Sequence, residues 1–292
     1  MIRVVVAGWD YPDWNGPVYP AGPTRPADRL TFLSRFVDVV EINNSFYRPV
    51  APRVAESWLR RTEEAARSGF MFTAKAHRSW THEPDADLVE VMPSVLDGLR
   101  PLREADRLGA LLLQFPQSFH FDAAAIEHLS RLLDPLGDWP TAVEVRHRSW
   151  QADEAERFFR ERRVAWCAVD QPRVGRSTLS ALPRVTSDLA YLRLHGRNAA
   201  EWFRPDAGRD RRYDYLYDAG QLEQLAATAR RMAGVAEELF VVQNNHFRGQ
   251  ALVNTLQMKH LLQGGKPSAP ETLVNAYPEL EPLVRIDPTR LF

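Results

Sequence analysis

Short apolar runs that end in polar or charged residues recur along the whole chain. They are VVVAG at 4–8, VVEIN at 39–43, FMFTAK at 70–75, GALLLQ at 109–114, AVEVRH at 142–147, VAWCAVD at 164–170, YLRLH at 191–195 and LFVVQNNH at 239–246. Each begins in residues that a core accepts and closes in residues that a core rejects unless they are paired, because an unpaired buried charge is expensive. Several runs are apolar on both faces, as strands lying between a barrel interior and an outer layer of helices must be. In a parallel α/β fold every strand exit emerges at one end of the sheet, where sites form.

The segments between these runs read as helices. They are 27–36, 51–67, 86–107, 122–134, the QADEAERFFRERR stretch after Trp150, 219–237 and ALVNTLQMKHLLQ at 251–263. Pro172, Gly175 and Pro183 mark 171–188 as a loop, and the interval 196–238 implies an elaborated loop ahead of its helix. Eight β-α units predict an α/β fold, a TIM-like (β/α)8 barrel, as a single domain over 1–265. The tail 266–292 is expected to pack on the barrel as irregular structure with short helical turns. An open doubly wound sheet is the alternative, weakened because no GxGxxG or GxxxxGK[ST] follows an early strand. No short internal repeat stands out beyond the β-α rhythm.

Composition narrows the class. The 292 residues are 45% apolar and 26% charged, with 37 Lys and Arg against 38 Asp and Glu. Such a balance describes an ordinary globule and gives no global polycation for nucleic acid. Lys75, Lys259 and Lys266 are the only lysines beside a large excess of Arg, so a lysine closing a strand stands out. No apolar run reaches the roughly 18 residues that span a bilayer, and the start, MIRVVVAGWDYPDW, lacks a signal-peptide pattern. Cys167 stands alone, for which a reducing cytosol is the simplest home. The expectation is a cytoplasmic protein without a membrane segment.

Strand alternation places the candidate chemistry. Glu41 and Asn43 share a side of the second strand, with Ser45, Phe46 and Tyr47 following; Glu144 and Arg146 share a side of the fifth, with His147 opening the outgoing loop. Glu41 and Glu144 are candidate acid/base groups or structural ion-pair partners. Arg146 and Arg193 suit an anion through the planar guanidinium. Lys75 suits phosphate contact, general acid work or nucleophilic amine chemistry, beside a structural salt bridge. Asp170 closes the sixth run, Arg193 and His195 share parity on the seventh, and the eighth supplies Asn244, Asn245 and His246. His77 and His82 extend the rim in KAHRSWTH, and Gln114 closes GALLLQ.

His195, His246, Asp170 and a carboxylate could be brought together on a metal, but no HExxH or CxxC pair demands one, so no metal site is assigned. Without a GxSxG elbow a Ser-His-Asp centre is disfavoured. Trp9, Tyr11, Trp14, Tyr19, Trp80, Phe119, Trp150, Trp202, Phe203, Tyr213, Tyr215 and Phe247 fall after the strand runs. They offer rings for a sugar or base, or simply recruits for the core.

The motifs GWDYPDWNGPVYP, VVEINNSFYRP, FMFTAKAHRSWTH, LLLQFPQSF, AVEVRHRSW, YLRLHGR and NNHFRGQALVNTLQM, in this order, resemble the YecE-like family, also called domain of unknown function 72. The resemblance covers roughly residues 3–262 and implies a TIM barrel. By motif match it points to Glu41, Asn43, Lys75, His82, Gln114, Glu144, Arg146, His147, Asp170, Arg193, His195, Asn245 and His246 as family-like polar positions. It carries over no reaction and no cofactor. Thr255 departs from the family pattern, which has a small Ala there.

Two functions compete on this reading. One is an enzyme on a small polar or anionic, phosphorylated or carbohydrate-like substrate. In it Glu41, Glu144, Lys75, Asp170 and His195 are the catalytic candidates, and Asn43, Tyr47, His82, Gln114, Arg146, His147, Arg193, Asn245 and His246 bind the ligand. The other is a noncatalytic binder of nucleotide, RNA or metabolite.

Overall fold

The computed structural model describes residues 1–20, 26–83, 86–172, 178–179, 183–202, 204 and 208–288. Nine parallel strands make the main sheet: β1 (Ile2–Ala7), β2 (Val39–Ile42), β3 (Met71–Lys75), β4 (Leu108–Gln114), β5 (Thr141–Glu144), β6 (Ala165–Trp166), β7 (Ala168–Asp170), β8 (Leu189–Leu194) and β9 (Glu238–Gln243). Their order is β6-β5-β4-β3-β2-β1-β9-β8-β7. The two ends of that series, β6 and β7, are pieces of one run interrupted at Cys167, whose backbone N–H donates to Val143 O at 2.9 Å. The sheet therefore closes on itself to a near-complete barrel of eight staves. The VAWCAVD run was expected to be one strand. Its first half pairs with β5 and its second half with β8, and the bend between them accommodates both neighbours.

Barrel closure divides the apolar residues into inner and outer sets. Val5, Ala7, Val39, Ala110, Leu112, Ala142, Val169, Tyr191, Phe240 and Val242 fill the lower interior. Phe240 reaches the opposite wall, where a Cβ on Gly109 would come within 2.3 Å of its ring. Only glycine leaves space for that aromatic plug.

The outer set packs helices against the strands, and helix Leu88–Glu104 shows why. Leu88, Met92, Val95, Leu99 and Leu102 recur at helical spacing and are all buried, and Asp87 caps the start by accepting from Val89 N–H at 2.9 Å. Gly98 lets this helix press on the neighbouring loop; a Cβ there would fall 2.0 Å from Val50 O.

The C-terminal tail is more ordered than the sequence suggests. Strands Ser268–Pro270 and Arg285–Asp287 pair in parallel around helix Glu271–Ala276. Ala269, Leu273, Val274, Leu280 and Val284 join the main outer core. Residues 289–292 of the tail, Gly175 of the 171–188 loop and Phe203 lie outside the described residues. No helix among the described residues is long and apolar enough to cross a membrane.

Candidate active site at the barrel mouth

The upper interior is built in polar layers. At the bottom, the Tyr191 hydroxyl lies 3.0 Å from both Glu41 Oε2 and Thr73 Oγ1, so it can donate to the carboxylate and accept from the threonine. Burial, with the Glu41 charge beside it, pushes the Tyr191 phenol well above its ordinary pKa, so it stays neutral. Above it, Arg193 from β8 bridges the barrel. Its Nη2 donates to Glu41 Oε1 at 2.6 Å, and its Nη1 to Glu144 Oε2 at 2.6 Å and to Gln114 Oε1 at 3.1 Å. Glu41, Glu144 and Arg193 are all completely buried. Buried carboxylates persist only because the guanidinium satisfies them, and the guanidinium fork is the side chain that reaches two at once.

The next layer holds His195, Asn244 and Arg146. Arg146 Nε donates to Glu144 Oε1 at 2.7 Å. Asn244 Nδ2 lies 2.9 Å from His195 Nδ1, and His195 Nε2 lies 3.3 Å from Glu144 Oε1. An amide donating to Nδ1 leaves the ring proton on Nε2, directed at Glu144. Burial drives the His195 pKa down to about 3 despite the neighbouring carboxylate, so the imidazole is neutral. Burial also opposes the charge on Glu144, but Arg146, Arg193 and His195 overcome it and hold its carboxyl well below the usual range. Glu144 is therefore a fixed negative charge, a poor proton donor near neutrality.

Lys75, the last residue of β3, differs from all of these. Its ammonium forms no ion pair or hydrogen bond among the described residues and sits 5.9 Å from the centre of the Phe46 ring. Burial, then the nearby Arg193, lowers its pKa to about 8; Glu41 and Glu144 offset this only in part. Asn43, above Glu41, donates to the Tyr11 hydroxyl at 3.3 Å, and its buried Oδ1 has no partner among the described residues.

Rings form two sides of the mouth. On one side Phe46 meets Tyr47 at 5.2 Å and His82 at 5.1 Å, both edge-on, with Tyr47 66% exposed at the rim. Burial, helped by Arg146, Arg78 and Lys75, lowers the His82 pKa. On the other side Trp202 and Tyr213, from the long 196–238 interval, lie 5.9 and 6.1 Å from His195. His246 stacks on Tyr11 at 4.5 Å and adjoins Tyr213. A groove of about 490 Å³ runs beside the mouth, lined by His82, Ser118, His120, His128 and Arg131 among others. It shares His82 with the rim but none of the charged interior residues.

Three sequence candidates have structural partners away from the interior. Asp170 accepts two-pronged bonds from Arg197 and a 2.7 Å bond from the Tyr217 hydroxyl. Asn245 donates to Tyr215 O at 2.8 Å and to Asn254 Oδ1 at 2.7 Å, and Asn254 in turn takes the Tyr217 N–H. Together they fasten the segment that ends the 196–218 excursion, which also carries Trp202 and Tyr213 over the mouth. His147 caps a turn: its Nδ1 accepts from Ser149 N–H at 3.2 Å, and its ring stacks on His120 at 3.8 Å.

Sequence reasoning named Asn244 without giving it a role, and it passed over a repeat. Asn244, not Asn245, enters the interior, as alternation from Phe240 and Val242 indicates. The tetrapeptide HRSW also occurs twice, at 77–80 and 147–150, in the same form. His77 caps Ser79 N–H at 3.3 Å as His147 caps Ser149, and both Trp80 and Trp150 are completely buried.

Among the described residues no group of three or more His, Cys, Asp or Glu is placed to hold a metal. The Cys167 thiol lies within the barrel, where burial pushes its pKa well up, which is the opposite of an activated nucleophile.

Known proteins are similar to this one over most of its length. UPF0759 protein YunF of Bacillus subtilis (strain 168) is 28% identical over 275 residues, covering 90% of this chain and 95% of YunF. A DUF72 family protein from Thermotoga maritima MSB8 superposes with a TM-score of 0.79 at 32% identity, covering 90% of this chain and 99% of its own. One from Enterococcus faecalis V583 gives 0.79 at 25% identity, covering 90% and 96%. The family described as "Protein of unknown function DUF72" matches residues 3–276, and the chain belongs to that family.

Proposed function

We propose that the mouth is the active site of an enzyme acting on a small anionic substrate, phosphorylated or carbohydrate-like, with Lys75 as its proton-transfer group. The observation that carries this reading is the charge balance. Lys75, Arg146 and Arg193 face Glu41 and Glu144, and the cation left without an ion pair is Lys75. An anion would complete the set. Since Glu41, Glu144, Arg193 and His195 are fully buried, a ligand meets the upper layer: Lys75, the outer edge of Arg146 and Asn43. The rings of Phe46, Trp202 and Tyr213 would flank it and exclude water, which strengthens each charge contact.

The proton roles first assigned to Glu41 and Glu144 pass, in this reading, to Lys75. A general acid or base works best with a pKa near the operating pH, and Lys75 at about 8 meets that condition where Glu144 does not. The two glutamates instead fix Arg193 and Arg146 in place.

Calorimetric titration with inorganic phosphate, and with a panel of sugar phosphates and small carboxylates, tests the reading. Binding should weaken at least about tenfold in Lys75→Met, the scale of a charge-assisted contact of roughly 1.5–3 kcal/mol. Equal affinity in the wild type and Lys75→Met, or no binding across the panel, would remove the proposed site.

A further inference from the structure

We infer that Lys75 is a nucleophilic amine that condenses with the carbonyl group of a small aldehyde or ketone bearing a carboxylate or phosphate, forming an imine at the barrel mouth. The inference rests on the anionic-substrate reading and names its substrate class.

Placement supports it first. Lys75 projects from the end of β3 into the mouth, half-buried, and among the described residues no carboxylate or hydrogen-bond acceptor engages its nitrogen. A lysine whose purpose is structural is expected to look like Lys259, whose Nζ donates to Asp38 Oδ1 at 2.6 Å. Burial and the guanidinium groups of Arg193 and Arg146 on the adjoining layers disfavour the charge on Lys75, and Glu41 and Glu144 offset this only in part. A desolvated amine beside other cations is the arrangement that leaves a lysine unprotonated and nucleophilic. The same guanidinium that disfavours the ammonium attracts the anionic end of the substrate, so Arg146 would orient the carbonyl toward Nζ.

The chemistry balances without an oxidant or reductant. The neutral amine adds its lone pair to the carbonyl carbon as the C=O π pair moves to oxygen. Proton transfer from nitrogen to that oxygen gives a carbinolamine. The C–O bond then breaks, the nitrogen lone pair forms C=N, and the second amine proton leaves with the departing hydroxide as water. The net change is amine plus carbonyl giving imine plus water.

Reductive trapping reads the step directly. The full-length protein is incubated with pyruvate in one arm and dihydroxyacetone phosphate in the other, each with cyanoborohydride as hydride donor, and its peptides are mapped by mass spectrometry. The chain has only three lysines, so each is scored against the others. The expected result is an adduct on Lys75 at least about tenfold more abundant than on Lys266 or Lys259, a factor worth 1.4 kcal/mol. Preference for one probe identifies the carboxylate or the phosphate as the recognised anion. Inorganic phosphate should suppress the adduct, and Arg146→Lys should reduce it while leaving the circular dichroism spectrum unchanged. Equal labelling of the three lysines, or labelling of Lys266 alone, overturns the inference. If phosphate binds in a Lys75-dependent manner but no adduct forms on Lys75, the imine is wrong and the anion site stands. If phosphate does not bind and no adduct forms, both readings fall.

Discussion

The exits of β3 and β5 are built alike and used differently. Each strand end brings one cation into the mouth and then turns through HRSW, with histidine capping the serine N–H and tryptophan buried beneath. At β5 the cation is Arg146, just past the strand and bound to Glu144, the strand's last residue. At β3 the cation is Lys75, and the residue two earlier is Thr73, whose hydroxyl faces Tyr191 instead. One exit thus contains its own counter-charge and the other does not. The cations stand at different offsets from the shared turn, Arg146 directly before His147 and Lys75 two residues before His77, so the turn is common while each strand end sets its own charge and counter-charge.

The largest expected effect comes from removing the bridge that fixes both carboxylates. Arg193→Met leaves Glu41 and Glu144 buried without their shared partner, and breaking a buried pair in this way costs about 3–5 kcal/mol. Chemical denaturation should show a matching drop in the unfolding free energy. An unchanged midpoint would mean that the interior is wetter than its packing indicates.

Next in size is a pH effect that separates Lys75 from Arg146. The folded protein lowers the Lys75 pKa from 10.5 to about 8, so between these values the unfolded chain binds more protons than the folded one. Stability therefore rises with pH through this window, and the contribution is lost as pH falls through about 8. Lys75→Met removes that dependence. The unfolding free energy of wild type minus that of Lys75→Met should climb by up to about 1.4 kcal/mol per pH unit. The groups facing Lys75 are Arg193, Glu41, Glu144, Arg146 and His82, and the difference between the two proteins cancels their shared titration to first order. A flat difference would show that Lys75 is solvated.

Arg146→Lys tests the other exit at smaller scale. The ammonium cannot hold Glu144 and an anion with one planar fork, so phosphate affinity should fall about three- to tenfold, roughly 0.7–1.4 kcal/mol. Unaltered affinity would assign Arg146 wholly to Glu144.

The two turns offer the smallest test. His77→Ala and His147→Ala each remove a cap, worth about 1 kcal/mol. Similar losses in thermal unfolding would support equivalent turns; a loss at one site only would show that the repeat is a coincidence of sequence.

Much of this arrangement is legible before folding. Period-two alternation within AVEVRH and YLRLH places Glu144, Arg146, Arg193 and His195 inside, because the apolar partners of those runs fix the register. It also holds where a run bends or ends; what misleads there is a polar ending read as inward. Ala165, Cys167 and Val169 all face in across the bend in VAWCAVD, so Asp170 falls outward with Trp166 and Ala168. At the end of β9, Gln243 and Asn245 continue the outward set, and the inward place belongs to Asn244. The contacts that make Asp170 and Asn245 structural come from Arg197, Tyr217 and Asn254, up to dozens of residues away, and no local pattern encodes them. Trp202 and Tyr213 reach the mouth through a long loop, whose path follows from packing and not from periodicity. The HRSW repeat was visible in the sequence throughout, four identical letters after two strands.

The availability of Lys75 is the centre of this account, and carbon NMR of the lysine ε positions measures it most directly. With three lysines in the chain, the Lys75 signal is assigned by its loss in Lys75→Met and followed as pH is raised. The account predicts a titration midpoint at about 8 for Lys75, shifting upward when phosphate is added, because an anion favours the charged amine. A midpoint at the ordinary lysine value of about 10.4, unmoved by phosphate, would contradict it.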